Sequence, residues 1–197
     1  GAALVLELPL PWAVAGAEKF ALGGISLLNA LGCVDTLTFG SETGDTAPLM
    51  HCAEYLHSDV FNSDIRPEVA KGVSFAAART EAVKKALGAE TAELLTKPNC
   101  ILGIEYCKAI LSLNSNIVPQ TVQRIAIGHD SDQVHGAFAS ASLIRSRSIE
   151  GEEISSYVPE NTAVCIRALQ NKKQYPTSLS YLDRAVLAAV SAMSPKD

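Results

Sequence analysis

The sequence predicts an α/β fold: a Rossmann-like parallel sheet with flanking helices, followed by a helical C-terminal segment. Three observations predict it. Short apolar or β-branched runs at residues 3–8, 34–39 and 120–127 read as strands. The longer stretches between them repeat apolar residues at helical spacing, as at Phe20, Ile25, Leu28 and Leu31. Beyond Gly151 no strand pattern appears and the chain reads as helical and more polar. Strands alternating with helical crossovers make a parallel sheet, because the connections are long enough to return each strand in the same direction.

Taken in order, Ala3-Leu4-Val5-Leu6-Glu7-Leu8 is a nearly continuous apolar run of the kind a strand buried on both faces needs, and Pro9 and Pro11 end it. A helix is expected from Val14 to Leu31, closed by Gly32. Val34 to Phe39 is the second strand, and Gly40-Ser41-Glu42-Thr43-Gly44-Asp45 is the loop at its carboxyl end. Helical patterning resumes from Ala47 to about Phe61, with a polar connection over Asn62 to Pro67. Ser74 caps a helix over Phe75 to Leu87, and Glu90 to Leu95 forms a short helical turn. Pro98-Asn99 then opens the most apolar helix of the chain, with Ile101, Leu102, Ile104 and Ile110. It leads through Asn114 and Pro119 into the strand Thr121–Ile127 and the polar loop Gly128–Gly136, with His129, Asp130, Asp132 and His135. Ser140 and Ser142 begin a further helix carrying Arg145, and helical segments follow over Glu152 to Tyr157, Glu160 to about Gln174 and Leu179 to Met193.

In an open α/β sheet, ligands bind outside the carboxyl ends of the strands. That edge collects Gly40, the start of the Asn99 helix and the strand bearing Arg124. Two glycines after a strand allow a backbone to approach a ligand closely, and they equally make a plain tight turn. Asn99 reads as a helix cap or as a ligand contact; Arg124 reads as a solvated strand residue or as an anion contact. The serines at 140 and 142 are N-caps whose free N–H groups also suit a phosphate, to which Arg145 could add a second contact. The loop after Gly40 is not a Walker A loop, lacking its lysine and spacing. The histidine- and acid-bearing loop 128–136 reads as solvated rather than metal-binding, so no metal ligand is assigned.

Composition narrows the function further. The 197 residues suit one domain, or one and part of a second, with a hydrophobic share of 48% and a charged share of 19%. A formal net charge of −5 argues against nonspecific nucleic-acid binding, and no DNA partner is expected. No apolar run is long enough to span a membrane, and no signal peptide is visible, so a cytoplasmic location is expected. The cysteines Cys33, Cys52, Cys100, Cys107 and Cys165 form no C-x-x-C pair and are expected to be reduced. The chain opens almost directly into an apolar run, and both ends are expected to be cuts through a longer protein.

Several segments occur in a telling order: Leu6-Glu7-Leu8-Pro9, Phe39-Gly40-Ser41-Glu42, Pro98-Asn99-Cys100-Ile101-Leu102-Gly103-Ile104-Glu105-Tyr106, the Arg124 strand, and Ser140-Ala141-Ser142-Leu143-Ile144-Arg145. Together they resemble the bacterial tRNA-Met cytidine acetate ligases, members of the nucleotidylyltransferase superfamily. The resemblance implies an enzyme that uses ATP, with Mg²⁺, to activate acetate as acetyl-adenylate, and then acetylates N4 of the wobble cytidine of elongator tRNA-Met. It implies ATP contacts at Gly40, Asn99 and Arg124, and phosphate contacts at Ser140, Ser142 and Arg145. It also implies a catalytic domain over residues 1–158 and the start of a helical region over 159–197. The superfamily's histidine-x-glycine-histidine motif is expected upstream, which leaves the catalytic residues unassigned and this piece alone inactive. Two other readings remain: a nucleotidylyltransferase acting on a small phosphorylated metabolite, or a nucleotide-binding module without catalysis.

Overall fold

The computed structural model describes residues 4–124, 139–177 and 179–193, which divide into two compact units, Gly1–Ile125 and Ala126–Asp197. In the first unit the chain runs α1 (Leu10–Ala13), α2 (Ala17–Ala30), β1 (Thr36–Ser41), α3 (Thr46–Leu56), α4 (Asp59–Val69), α5 (Phe75–Leu87), α6 (Ala89–Leu94), α7 (Pro98–Ser112) and β2 (Val118–Gln123). The strands pair in parallel, with Thr36 opposite Val118 and Ser41 opposite Gln123. The crossover between them carries α3 to α7. The α/β class read from the sequence is therefore the observed one, with two strands among the described residues.

The core explains why α7 is apolar on more than one face. Its residues Cys100, Ile104 and Cys107 join Leu49, Cys52 and Val83 in one buried cluster. Its Ala109 and Ile110 join Ala21, Ile25 and Ile117 in a second. A single helix thus sits between two cores, and each fully buried isoleucine or leucine there contributes about 1.5–3 kcal/mol. Gly103 lets α7 lie against β1. A Cβ at this position would stand 2.6 Å from Phe39 Cε2 and 3.1 Å from Leu49 Cδ1, and the Phe39 ring is itself backed by Tyr106 at 5.4 Å between centroids. Gly103→Val should therefore cost about 1–3 kcal/mol by overpacking, read as a lowered urea midpoint with an unchanged slope.

The structure corrects several expectations. Of the run expected as a strand at 3–8, the described residues make no ladder: residues 4–9 have no regular secondary structure. An apolar run becomes a strand only when a partner's N–H and C=O groups meet it. Instead Leu4, Leu6 and Leu8 line an apolar groove of about 520 Å³ with Phe20, Leu28 and Leu37. β1 begins and ends two residues later than expected, so Gly40 and Ser41 belong to the strand and the loop starts at Glu42. β2 starts earlier and includes Pro119; the residues expected to extend it, 125–127, lie outside the described residues, as does the loop 128–136. The helix expected over 14–31 is observed as α2, Ala17–Ala30, starting three residues later than expected, and a separate short helix, α1, precedes it at Leu10–Ala13. The connection expected over Asn62 to Pro67 is instead the body of α4: Ser58 Oγ caps it by accepting from Phe61 N at 3.3 Å, and Pro67 falls in its last turn.

In the second unit the elements are α8 (Ala141–Ile149), a 3₁₀ turn at Ser155–Tyr157, α9 (Glu160–Asn171), a 3₁₀ turn at Leu179–Leu182 and α10 (Asp183–Ala192). The expected helix over Glu152 to Tyr157 shrinks to that single turn. Arg147 fixes it to α8, donating from Nη1 to the Tyr157 hydroxyl at 2.9 Å and standing 5.3 Å from the centre of the same ring. Among the described residues, no helix is long and apolar enough to cross a membrane.

Candidate functional site

The carboxyl ends of β1 and β2 are tied into one polar edge. Arg124 N donates to Ser41 O at 2.8 Å, carrying the parallel pairing one residue past β2. Beneath it, the Thr121 hydroxyl donates to Phe39 O at 3.0 Å and lies 2.8 Å from Ser41 Oγ, while Thr121 N donates to Thr46 Oγ1 at 3.0 Å. Ser41 Oγ also accepts from Gly44 N at 3.1 Å. Ser41 is fully buried and Thr121 nearly so, so these hydroxyls pay no unsatisfied-group cost and hold the loop 42–45 in one conformation.

On this edge Gly40 and Arg124 are brought together. A Cβ at Gly40 would stand 2.9 Å from Arg124 Cγ and 3.4 Å from its Cδ. The glycine therefore clears a path for the aliphatic stem of Arg124, whose residue as a whole is exposed. Any other residue at 40 would push the guanidinium elsewhere.

Asn99 meets the same edge through Glu42, two residues beyond Gly40. Of the two readings of Asn99, the plain helix cap is not what the structure shows. Lys97 occupies the N-cap position of α7 and makes no capping hydrogen bond, with Pro98 first in the helix. The acceptors come from across the loop: Glu42 Oε1 takes Asn99 N at 3.1 Å and Asn99 Nδ2 at 2.8 Å, and Oε2 takes Cys100 N at 2.8 Å. A carboxylate there satisfies orphan N–H groups and sits at the positive end of the helix dipole. Burial works to raise the Glu42 pKa, but the hydrogen bonds from Asn99 and Cys100 outweigh it and lower it to about 2, so the group is an anion at neutral pH. Reading the sequence missed this residue as a functional group. The available sign was a helix starting at Pro98 with a lysine where a cap belongs, which calls for acceptors from elsewhere in the chain.

The other predicted contacts lie in the second unit. Ser140 is the N-cap of α8: its Oγ accepts from Leu143 N at 3.1 Å and lies 2.9 Å from Ser142 Oγ. Arg145 is exposed on the same helix. Among the described residues, no group of three or more histidine, cysteine or acidic side chains could hold a metal ion. Burial pushes the thiols of Cys52 and Cys107 up to about 12, so both are packing residues and not nucleophiles.

Comparison with known proteins adds the family context. The sequence profile of the HIGH Nucleotidyl Transferase family matches residues 1–197. The tRNA(Met) cytidine acetate ligase of Clostridium novyi (strain NT) is 40% identical over 150 residues, covering 74% of this chain and 38% of that protein. That of Caldanaerobacter subterraneus subsp. tengcongensis is 35% identical over 201 residues, covering 99% of this chain and 50% of that protein. Two crystal structures of Thermotoga maritima TmcAL are similar at 30% identity: the apo form with a TM-score of 0.77, and a form bound with alpha-thio ATP with a TM-score of 0.75. Both alignments cover 90% of this chain and 44% and 43% of those chains, respectively. The chain thus spans about half or less of the length of the relatives it matches.

Proposed function

The chain belongs to the HIGH nucleotidyl transferase family, and on that premise we propose that it acts as an ATP-dependent tRNA-Met cytidine acetate ligase in the cytoplasm. In the first step an acetate oxygen attacks the α-phosphorus of ATP; a P–O bond forms, the bond to the β-phosphate oxygen breaks, and pyrophosphate leaves. In the second step the N4 amine of the wobble cytidine of elongator tRNA-Met attacks the acetyl carbon, loses a proton, and AMP departs. Both steps develop charge on oxygens, which placed cations and N–H donors stabilise. The observation that carries this reading is the meeting of Gly40, Arg124 and the Glu42–Asn99 pair at one sheet edge.

Arg124 supplies a cation to the triphosphate, and Gly40 leaves room for it. In the second unit, Ser140, Ser142 and Arg145 at the start of α8 are a separate proposed set of phosphate contacts. A Mg²⁺ ion, which commonly binds nucleotide phosphates with few protein ligands, would offset their charge; the oxygens of Glu42 are engaged by N–H donors and are not assigned to it. The net charge of −5 favours one alternative, a small phosphorylated metabolite as acceptor in place of tRNA. One pair of measurements separates the two. The full-length protein should exchange labelled pyrophosphate into ATP only when acetate is present, and should yield N4-acetylcytidine in digests of elongator tRNA-Met. Exchange that ignores acetate, with no acetylcytidine formed, would overturn the ligase reading in favour of the metabolite.

A further inference from the structure

We propose that Glu42 is a positioning residue: it pins the Asn99 amide at the start of α7 so that the amide oxygen is turned outward to accept hydrogen bonds from the nucleoside part of ATP. The inference rests on the ATP reading above and goes beyond it by giving the nucleotide a direction. An ionised carboxylate only accepts hydrogen bonds, so the face of Asn99 turned to Glu42 must be its NH₂ group. The 2.8 Å contact from Nδ2 to Oε1, reinforced by the 3.1 Å contact from Asn99 N to the same oxygen, therefore fixes which way the amide points. Its Oδ1 then faces away from Glu42, and no donor among the described residues engages it.

What Oδ1 can take is a donor, and a triphosphate offers only acceptors. The ribose hydroxyls and the exocyclic amine of adenine are donors. Electrostatics agrees, because an anion beside Asn99 repels phosphate oxygens at short range, whereas the Arg124 guanidinium beside Gly40 attracts them. The edge is thus divided by sign, with the phosphates drawn to Arg124 and the nucleoside to Asn99. Because Glu42 has already filled the N-terminal N–H groups of α7, that helix end is closed to the phosphates.

The test is calorimetric titration of the full-length protein with ATP and with inorganic tripolyphosphate, for wild type, Glu42→Ala, Asn99→Ala, the double variant and Glu42→Gln. Glu42→Ala and Asn99→Ala should each weaken ATP binding by about tenfold. The double variant should be no weaker than Asn99→Ala alone, since Glu42 acts through Asn99. Tripolyphosphate affinity should hold or rise slightly in every variant. Glu42→Gln preserves size and one acceptor oxygen, so it keeps the fold measurable if alanine does not, and it should fall between wild type and Asn99→Ala. Unchanged ATP affinity in the Glu42 variants overturns the proposal. So do losses that multiply in the double variant, or a matching loss for tripolyphosphate. A wild-type protein that fails to bind ATP removes the ATP reading itself, and the inference falls with it before any variant is compared.

Discussion

Replacing Glu105 with alanine should cost the first unit about 3–5 kcal/mol, enough to remove most of the stability of an ordinary domain. Glu105 is 4% exposed on α7. Its Oε1 lies 3.7 Å from Arg79 Nη1 of α5, and its Oε2 accepts from Lys108 Nζ at 2.8 Å. Lys108 has a second partner in the exposed Glu18 of α2 at 3.5 Å, so it can survive the loss. Arg79 cannot, because its side chain is largely buried and its Nε already has no hydrogen-bond partner among the described residues. Alanine would leave that guanidinium uncompensated in the core, which is the expensive way to break a buried pair. Glu105→Gln keeps an acceptor and should cost less, while Glu105→Leu combined with Arg79→Met removes both charges and should recover much of the loss. Urea unfolding at pH 7 reads all three. A Glu105→Ala cost below about 1 kcal/mol would mean that water reaches the triad and that it is a surface pair in effect.

The features that could be read in the chain beforehand are local ones. Helices α5 and α7 announce themselves through Ser74, Gly88, Pro98 and their apolar spacing, and the parallel pair follows from apolar runs separated by helices. What failed depends on partners far away in sequence. Leu4 to Leu8 has the composition of a strand, but a strand exists only where a ladder partner meets it, and here the leucines cover a groove instead. Asn62 to Pro67 looked like a connection because it is polar and holds a proline; Phe61 and Ile65 packing into the core overrides both. The candidate site divides in the same way. Gly40, Asn99 and Arg124 are visible as residues at strand and helix ends. Glu42 is not, because its role is to cap a helix that begins more than fifty residues later, and nothing in the four residues around it marks that.

Arg124→Ala should weaken ATP binding by about tenfold or more without unfolding the protein. A charge-assisted hydrogen bond to phosphate contributes roughly 1.5–3 kcal/mol, and each 1.4 kcal/mol is about a factor of ten in affinity. Arg124 is exposed, so solvent and salt screen it and the lower end of that range is the relevant one. The same exposure keeps the stability effect within about 0.5 kcal/mol. Arg124→Lys should recover part of the affinity, because an ammonium restores the charge but not the planar pair of donors. Gly40→Val offers an independent route to the same loss: its side chain would occupy the space of Arg124 Cγ, displacing a guanidinium that is still present. If the arginine acts on the phosphates, raising the salt should narrow the gap between wild type and Arg124→Ala, and tripolyphosphate should report the same gap as ATP. An alanine variant with wild-type affinity for both would make Arg124 a solvated strand residue, and the positive half of the proposed edge would have to be sought elsewhere.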